Sequence, residues 1–302
     1  MNMEKAPAQP EASPLADIGY FISVDGPEIT AQAIDFLLAK LPARDRWCVD
    51  FGAGGDAHGS TTHRLITGQN YSAVLIEGVP DRFADVKTRH EGNSRVTVLQ
   101  KFVSFESGHP DCLDRLLAGS KTPRDFDFLS IDIDGNDYHV WNAIKEYTPK
   151  IVMVEFNPSI APEIDFVQPA DPGVNCGNSL KAINRLGNLK SYQLVSVIGV
   201  NAFFVHQKYF PLYGVQDNRI ETLWTNRDCV THIFCGYDGR LRLIGNLKLP
   251  WHYSIPMRES RLQMLPGFLR KYNFQRPDWI TYLALREPRI FLQKLFRRAG
   301  RK

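Results

Sequence analysis

Two short apolar runs that each end in or near an acidic residue constrain this chain more than any other feature. Trp47-Cys48-Val49-Asp50-Phe51 leads into the turn Gly52-Ala53-Gly54-Gly55-Asp56, and Ala73-Val74-Leu75-Ile76-Glu77 follows. This order of strand, glycine turn and acid-ended strand is typical of the first βαβ unit of a nucleoside-binding sheet. Glycines let backbone N–H groups approach a ligand closely, and the acid can accept hydrogen bonds from ribose hydroxyls. The sequence therefore predicts a nucleoside site formed by Asp50, Gly52, Ala53, Gly54 and Glu77.

Strand and helix patterns alternate up to residue 206. Predicted strands cover 46–51, 72–77, 95–99, 126–132, 150–156, 193–198 and 201–206, and predicted helices cover 27–41, 60–67, 80–90, 111–117, 138–147 and 178–189. Alternation of this kind predicts a Rossmann-like three-layer α/β sandwich with a mostly parallel, seven-stranded sheet. The last two strands are joined too tightly for a crossover helix, so we expect an antiparallel pair there.

Composition divides the 302 residues into three regions. Residues 1–17, which contain three prolines and several alanines, predict a disordered lead-in. Residues 18–206 form the predicted Rossmann-like domain. Residues 207–302 form a C-terminal extension with short basic helices and a hairpin over 231–245 around Tyr237-Asp238-Gly239-Arg240. We expect contacts with a substrate to come from the irregular segments 158–177 and 207–302.

The cysteines and the lengths of the apolar runs indicate where in the cell the protein is located. The five cysteines are scattered without a CxxC pair, which favours free thiols in a reducing cytoplasm over disulfides or zinc. No apolar run reaches the ~18 residues that a membrane span needs, and the N-terminus lacks the basic and apolar regions of a secretory signal. We therefore expect a cytoplasmic protein.

The net charge of +3 is unevenly distributed. Residues 257–302 hold 12 basic and 3 acidic residues, whereas the remainder holds 24 basic and 30 acidic residues. The basic, amphipathic segment Phe291–Arg298 predicts a peripheral contact with a membrane or another anionic lipid. We expect no nucleic-acid partner, because the basic patch lacks interleaved aromatic residues on which bases could stack.

A group of carboxylates follows the fourth and fifth predicted strands. Asp132 and Asp134 lie two positions apart, and Glu155 ends the next strand. Carboxylates grouped in this way can bind Mg²⁺, which prefers oxygen ligands. They can instead orient the amine of a cofactor or accept a proton from a substrate. Asp134 and His139 are therefore the candidate catalytic residues, with His139 as a general base. Phe102, just past the third strand, is placed to flank a nucleoside base.

These segments together resemble class I S-adenosylmethionine-dependent methyltransferases, and most closely the FkbM-type members. The similar stretches are VDFGAGGDAHGS (49–60), VLIEG (74–78), DFDFLSIDIDGNDYHVW (125–141), IVMVEFNP (151–158) and NAFFV (201–205). The resemblance covers about residues 45–206. It implies methyl transfer from S-adenosylmethionine to a hydroxyl of a sugar, glycan or other small polar molecule, with Asp132 among the cofactor-binding residues. Some sugar O-methyltransferases of this superfamily use Mg²⁺.

Three alternatives to this reading stay open. NAD is a possible cofactor, although the turn lacks a full GxGxxG fingerprint and the nearby acids would repel a pyrophosphate. A glycosyltransferase would use Asp132-Ile133-Asp134 as a metal-binding DxD motif. A non-catalytic binding module on a methyltransferase fold is the third, because a fold does not guarantee chemistry.

Overall fold

A computed structural model describes residues 26–54, 61–265, 267, 270, 287–290 and 292–293. Contacts divide the chain into two compact units, one that ends at Asp228 and one that begins at Cys229. The predicted lead-in over 1–17 lies outside the described residues. So does the basic segment 291–298, apart from residues 292 and 293.

Nine strands and eight α-helices lie in the described part of the chain. The strands are β1 (Trp47–Phe51), β2 (Ser72–Glu77), β3 (Val96–Gln100), β4 (Phe128–Ile131), β5 (Ile151–Glu155), β6 (Tyr192–Ile198), β7 (Asn201–His206), β8 (Thr231–Cys235) and β9 (Leu241–Gly245). The helices are α1 (Gly26–Ala39), α2 (His63–Gly68), α3 (Pro80–Arg89), α4 (Leu113–Ala118), α5 (Asp137–Ala143), α6 (Leu180–Leu189), α7 (Ile220–Leu223) and α8 (Glu259–Leu262). A 3₁₀ helix covers Phe210–Tyr213.

The first unit contains a seven-stranded sheet in the order β3-β2-β1-β4-β5-β7-β6. Strands β1 to β5 pair in parallel, and β7 runs antiparallel to both β5 and β6. The two-residue link between β6 and β7 is too short for a crossover, as the sequence predicts. The predicted Rossmann-like sandwich with an antiparallel last strand is therefore confirmed. Its strand order reverses between β1 and β4.

Apolar side chains cover both faces of this sheet, and its central strands are mostly apolar. On one face Leu37 of α1 belongs to the same buried cluster as Met153 and Phe203 of the sheet. On the other face the ring of Trp141 in α5 lies 5.1 Å from that of Phe204. Parallel strands that are buried on both faces have nearly continuous apolar sequences. The sequence of β5 has this pattern, so the strand was predictable.

The boundary between the units falls later than the sequence predicts. Segment 207–228, expected to belong to the C-terminal extension, packs into the first unit. The Tyr213 hydroxyl donates to the Leu37 carbonyl at 2.9 Å, and Trp224 packs edge-on against Phe156 at 5.2 Å between ring centroids. The alternation of strands and helices stops after residue 206 because the sheet ends there. The apolar core that covers the sheet continues beyond that residue.

The second unit contains the predicted hairpin. Strands β8 and β9 pair antiparallel, with Ile233 opposite Leu243. Gly239 closes the turn at a φ of +77°, a left-handed conformation that glycine adopts without a steric cost. None of the helices in the described part of the chain has the length and hydropathy of a membrane span.

Candidate nucleoside-binding cleft

A cleft of about 1130 Å³ opens at the carboxyl ends of strands β1 to β4. Open α/β sheets bind ligands at this edge, where the strand order reverses. The cleft is lined by residues that follow these strands and by part of the loop after β5, namely Asp50–Gly54, Thr61, Ile76–Val79, Arg82, Lys101–Glu106, His109, Asp132–Asp134, Asn136, Ala170–Pro172 and Asn175.

The glycine turn after β1 is held against the neighbouring strands. The backbone N–H groups of Gly52 and Ala53 both donate to the Ile76 carbonyl, at 3.1 and 3.4 Å. Gly52 has a φ of +85°, and a Cβ there would lie 2.8 Å from the carbonyl carbon of Asp132. A side chain at this position would therefore be both strained and obstructed. The turn passes close to the end of β4 only because residue 52 is glycine.

Gly54 lies directly against the carboxylate of Glu77. A Cβ on Gly54 would overlap Oε2 of Glu77, and it would come within 2.8 Å of the Arg82 side chain. Oε1 of Glu77 accepts a hydrogen bond from the Val79 backbone at 2.8 Å. Only 5% of Glu77 is exposed, so the glycine turn and the acid that ends β2 form one buried junction, as the sequence predicts.

Asp50 lies beneath the turn. Its Oδ2 accepts a 2.8 Å hydrogen bond from the Thr62 hydroxyl, just before α2. Burial raises the pKa of Asp50 to about 6, although the hydrogen bond from Thr62 opposes this shift. The residue lines the cleft and also links β1 to the start of α2, so it supports the turn from below.

Phe102 covers Gly78 at the β2–β3 side of the cleft. A Cβ on Gly78 would lie 2.7 Å from the Cγ atom of Phe102, so the ring rests on bare backbone. The ring is nevertheless 74% exposed. An exposed aromatic ring beside a nucleoside-sized cleft offers a flat surface to a base.

Three carboxylates meet where β4 and β5 end. Oxygens of Asp132, Asp134 and Glu155 all lie within 4.8 Å of one another, as their sequence positions predict. Burial, together with the charge of Asp132, raises the pKa of Glu155 to about 10. Burial and Asp134 raise the pKa of Asp132.

A fourth carboxylate holds the turn that carries this cluster. Asp137 accepts hydrogen bonds from the backbone N–H groups of Ile133 and Gly135, both at 2.9 Å. Burial raises its pKa to about 7. Asp134, which lies between Ile133 and Gly135, adopts a φ of +57°, which is uncommon for a residue with a side chain. Strained positions of this kind concentrate at functional sites.

His139 points toward the loop after β5. Its Nε2 lies 2.7 Å from the Gln168 carbonyl oxygen, which can only accept, so this nitrogen donates. Among the residues that the structure describes, neither His139 nor Glu155 lines the cleft, whereas Asp132 and Asp134 do. Asp56 and His58 of the glycine turn lie outside the described residues.

No family model and no curated protein matches the sequence, and the similarity to solved structures is low. An O-methyltransferase from Bacillus cereus in complex with SAH is 18% identical, with a TM-score of 0.38 over 63% of this chain and 85% of that chain. M. jannaschii TYW2 in complex with AdoMet is 11% identical, with a TM-score of 0.35 over 62% and 78%. The assignment of a Rossmann-like α/β fold rests on the order and direction of the strands in this chain.

Several cleft residues were not anticipated from the sequence. Arg82 and Lys101 add positive charge at the β2–β3 side, and Lys101 forms a 2.8 Å ion pair with Asp111. His109 also lines the cleft, and its Nδ1 accepts the Asp111 backbone N–H at 3.0 Å. None of them follows a glycine turn or ends a strand in an acid, so no local pattern indicated them. The loop residues 170–172 and 175 do fall within segment 158–177, which was expected to contact a substrate.

Proposed function

We propose that this protein is an S-adenosylmethionine-dependent methyltransferase that methylates an oxygen of a sugar, glycan or other small polar acceptor. One observation carries the proposal: Gly54 abuts the buried Glu77 carboxylate at the edge where the strand order reverses. A ligand that enters there meets the bare backbone of the glycine turn on one side and a hydrogen-bond acceptor on the other. That pairing suits the ribose and the adjoining chain of an adenosine derivative.

The residues present fit this cofactor. A Cβ at Gly52 or Gly54 would collide with its neighbours, so the cradle exists only with glycine at both positions. Glu77 would accept hydrogen bonds from the ribose hydroxyls, and Phe102 would flank the adenine. The cleft is lined by the carboxylates of Asp50, Glu77, Glu106, Asp132, Asp134 and Asp171 against the cations Arg82 and Lys101. This excess of negative charge favours a positive sulfonium over a pyrophosphate.

The bound cofactor supplies a methyl group on a positive sulfur to the acceptor oxygen. Asp132 would orient the cofactor amine, and the exposed carboxylate of Asp134 would hold the acceptor hydroxyl and take its proton. We assign proton acceptance to Asp134 and not to His139, because Asp134 lines the cleft and His139 does not. Most of the rate enhancement would come from holding the two reactants in line.

The carboxylate cluster supports a role for Mg²⁺ as a further part of the proposal. Three carboxylate oxygens within 4.8 Å form a hard, anionic ligand set that this ion prefers. If Asp132, Asp134 and Glu155 hold Mg²⁺, its addition will raise the melting temperature of the wild-type protein and not that of Glu155→Gln. An equal effect on both proteins would remove the metal from the mechanism.

Isothermal titration calorimetry with S-adenosylmethionine and S-adenosylhomocysteine tests the cofactor directly. We expect both to bind the wild-type protein. Glu77→Ala should weaken binding by about 1.5–3 kcal/mol, the range for hydrogen bonds to a charged partner. Glu77→Gln removes the charge but keeps an oxygen that accepts the hydrogen bond from the Val79 N–H. Its affinity therefore shows the effect of the charge alone, without disruption of the turn. Glu91→Gln, at an exposed position outside the cleft, is the matched control.

The outcome that contradicts the proposal is a folded wild-type protein that binds neither compound at millimolar concentration. A nucleotide sugar that binds only with manganese would indicate a glycosyltransferase instead. Cofactor binding without turnover of a broad set of acceptors would favour a non-catalytic module.

The acceptor would be found by mass spectrometry of glycans and small metabolites from cells with and without the gene. The expected difference is one added CH₂ unit. The resemblance of residues 125–141 to FkbM-type enzymes supports an oxygen acceptor, as does the polar lining around Asp134 and Asn136. We also propose a cytoplasmic location, which the scattered cysteines without a CxxC pair support.

A further inference from the structure

The second unit contains an apolar loop that is exposed to solvent. We call residues 247–256, which follow β9, the aromatic loop. Its ends meet at a bridge between Lys248 and Pro256, and the Leu249 N–H donates to the Ile255 carbonyl at 3.0 Å. Its tip carries Trp251, which is 52% exposed, and Tyr253, which is fully exposed. The loop is thus closed by its own backbone while its largest side chains face outward.

The backbone of this loop is held in an uncommon conformation. Tyr253 and Ser254 have φ values of +51° and +54°, a region that residues with side chains rarely adopt. Such conformations persist where the surrounding structure enforces them, and they concentrate at binding sites. Here the conformation keeps an aromatic ring in solvent, where it buries nothing within the unit.

The charge of the second unit indicates what this surface contacts. Residues 229–302 contain 15 basic and four acidic residues, whereas residues 1–228 contain 21 basic and 29 acidic residues. The positive charge therefore lies on the same unit as the exposed aromatic side chains. Lys248 lies within the loop itself, and Arg258 follows it by two residues. An anionic surface is the complementary partner.

The aliphatic side chains distinguish among anionic partners. Leu247, Leu249 and Ile255 are each more than a third exposed, beside Trp251 and Tyr253. A nucleic acid would use the aromatic rings for stacking and would leave the aliphatic side chains without a partner. A bilayer uses both, because aliphatic groups enter the acyl region while tryptophan and tyrosine lie at the level of the headgroups.

We propose that the aromatic loop inserts into the surface of an anionic phospholipid bilayer, with Lys248 and Arg258 contacting the headgroups. This contact is independent of the methyl-transfer proposal, because it involves none of the cleft residues. It moves the expected membrane contact from the C-terminal segment 291–298 to a surface that the structure describes.

Vesicle co-sedimentation of the full-length chain tests this proposal. We expect binding to vesicles of phosphatidylcholine with phosphatidylserine, weaker binding to phosphatidylcholine alone, and weaker binding at high salt. Trp251→Ala combined with Tyr253→Ala should weaken binding about tenfold or more, because two large side chains no longer enter the bilayer. Leu189→Ala with Leu212→Ala, at exposed apolar positions of the first unit, should leave binding unchanged.

Tryptophan fluorescence provides a second readout that does not depend on a large loss of binding. Insertion should shift the emission of the wild-type protein to shorter wavelength, because Trp251 leaves water. Trp251→Phe should remove this shift and still sediment with the vesicles. Trp141 and Trp224 are buried and should not contribute to it.

Three results would overturn the proposal. Unchanged sedimentation of the Trp251→Ala, Tyr253→Ala protein would show that charge alone holds the protein on vesicles. A dimer that forms without vesicles and is lost in that variant would make the loop a contact between two copies of the chain. Retention of single-stranded RNA without binding to anionic vesicles would assign the surface to nucleic acid.

Discussion

Gly54→Ala is the sharpest test of the cleft, because it adds a single methyl group at the junction of the glycine turn and β2. That Cβ would overlap Oε2 of Glu77 and lie 2.8 Å from Cβ and Cδ of Arg82. Real Cβ atoms essentially never lie closer than 3.0 Å to a heavy atom of a residue that is not their chain neighbour, so the turn or the carboxylate must move. The far end of the Arg82 side chain can give way, whereas its Cβ is fixed to α3. The Glu77 carboxylate cannot move freely, because Oε1 is hydrogen-bonded to the Val79 N–H.

The expected loss of affinity follows from this displacement. A shifted Glu77 no longer accepts hydrogen bonds from the ribose in good geometry, and bonds of this charged type contribute about 1.5–3 kcal/mol. The dissociation constant for S-adenosylmethionine should therefore rise about 10- to 150-fold. The stability of the fold should change less than the affinity, because the turn lies at the edge of the sheet.

Gly68→Ala provides the matched control. Gly68 ends α2, and a Cβ there meets no atom within 4 Å. Alanine favours a helix over glycine by about 0.5–1 kcal/mol, so this variant should melt slightly higher and bind the cofactor normally. Calorimetry gives the affinity and differential scanning fluorimetry the melting temperature. Wild-type affinity in a folded Gly54→Ala protein would refute the proposed contact between Glu77 and the ribose.

Three further predictions concern the structure around the cleft. Lys150→Met should cost about 3–5 kcal/mol in urea unfolding because it leaves the fully buried Asp127 carboxylate unpaired, whereas the exposed Lys121→Met should cost little. The raised pKa of Asp137 means that the folded state binds its proton more tightly, so its contribution to stability is present below about pH 4 and is lost toward pH 7. This loss gives the free energy of unfolding a downward slope with rising pH, and Asp137→Asn should reduce that slope by up to about 1.4 kcal/mol per pH unit when unfolding is measured across this range. Gln168→Ala should speed proteolysis within 157–178 without weakening cofactor binding, since the Gln168 side chain holds this loop through four hydrogen bonds and lies outside the cleft.

Most of the sheet could be predicted from the sequence because its strands are buried on both faces. The prediction for β2 agrees with the structure at both ends, and the prediction for β5 differs by one residue at each end. Such strands must be continuously apolar whatever their neighbours are. The short helix α7 was missed, because its four residues carry too little periodicity to distinguish them from a loop.

The candidate site was predictable where chemistry coincided with the end of a strand. Gly52, Gly54, Glu77, Asp132 and Asp134 all lie on the cleft, as their positions after β1, β2 and β4 predict. The contact that His139 makes was not predictable, because a side chain on a short helix can turn toward several neighbours. Its contact with the Gln168 carbonyl depends on how a loop 29 residues later folds back.

The sequence by itself determined the layered architecture, the hairpin turn and the acidic ends of three neighbouring strands, because each depends on a local preference or on burial of a strand. Only the tertiary structure decided that residues 207–228 join the first core and that the loop carrying residues 170–175 forms a wall of the cleft. It also decided that an aromatic ring stands fully exposed on the second unit. These outcomes depend on packing between distant segments, and such contacts leave no periodicity in the chain that makes them.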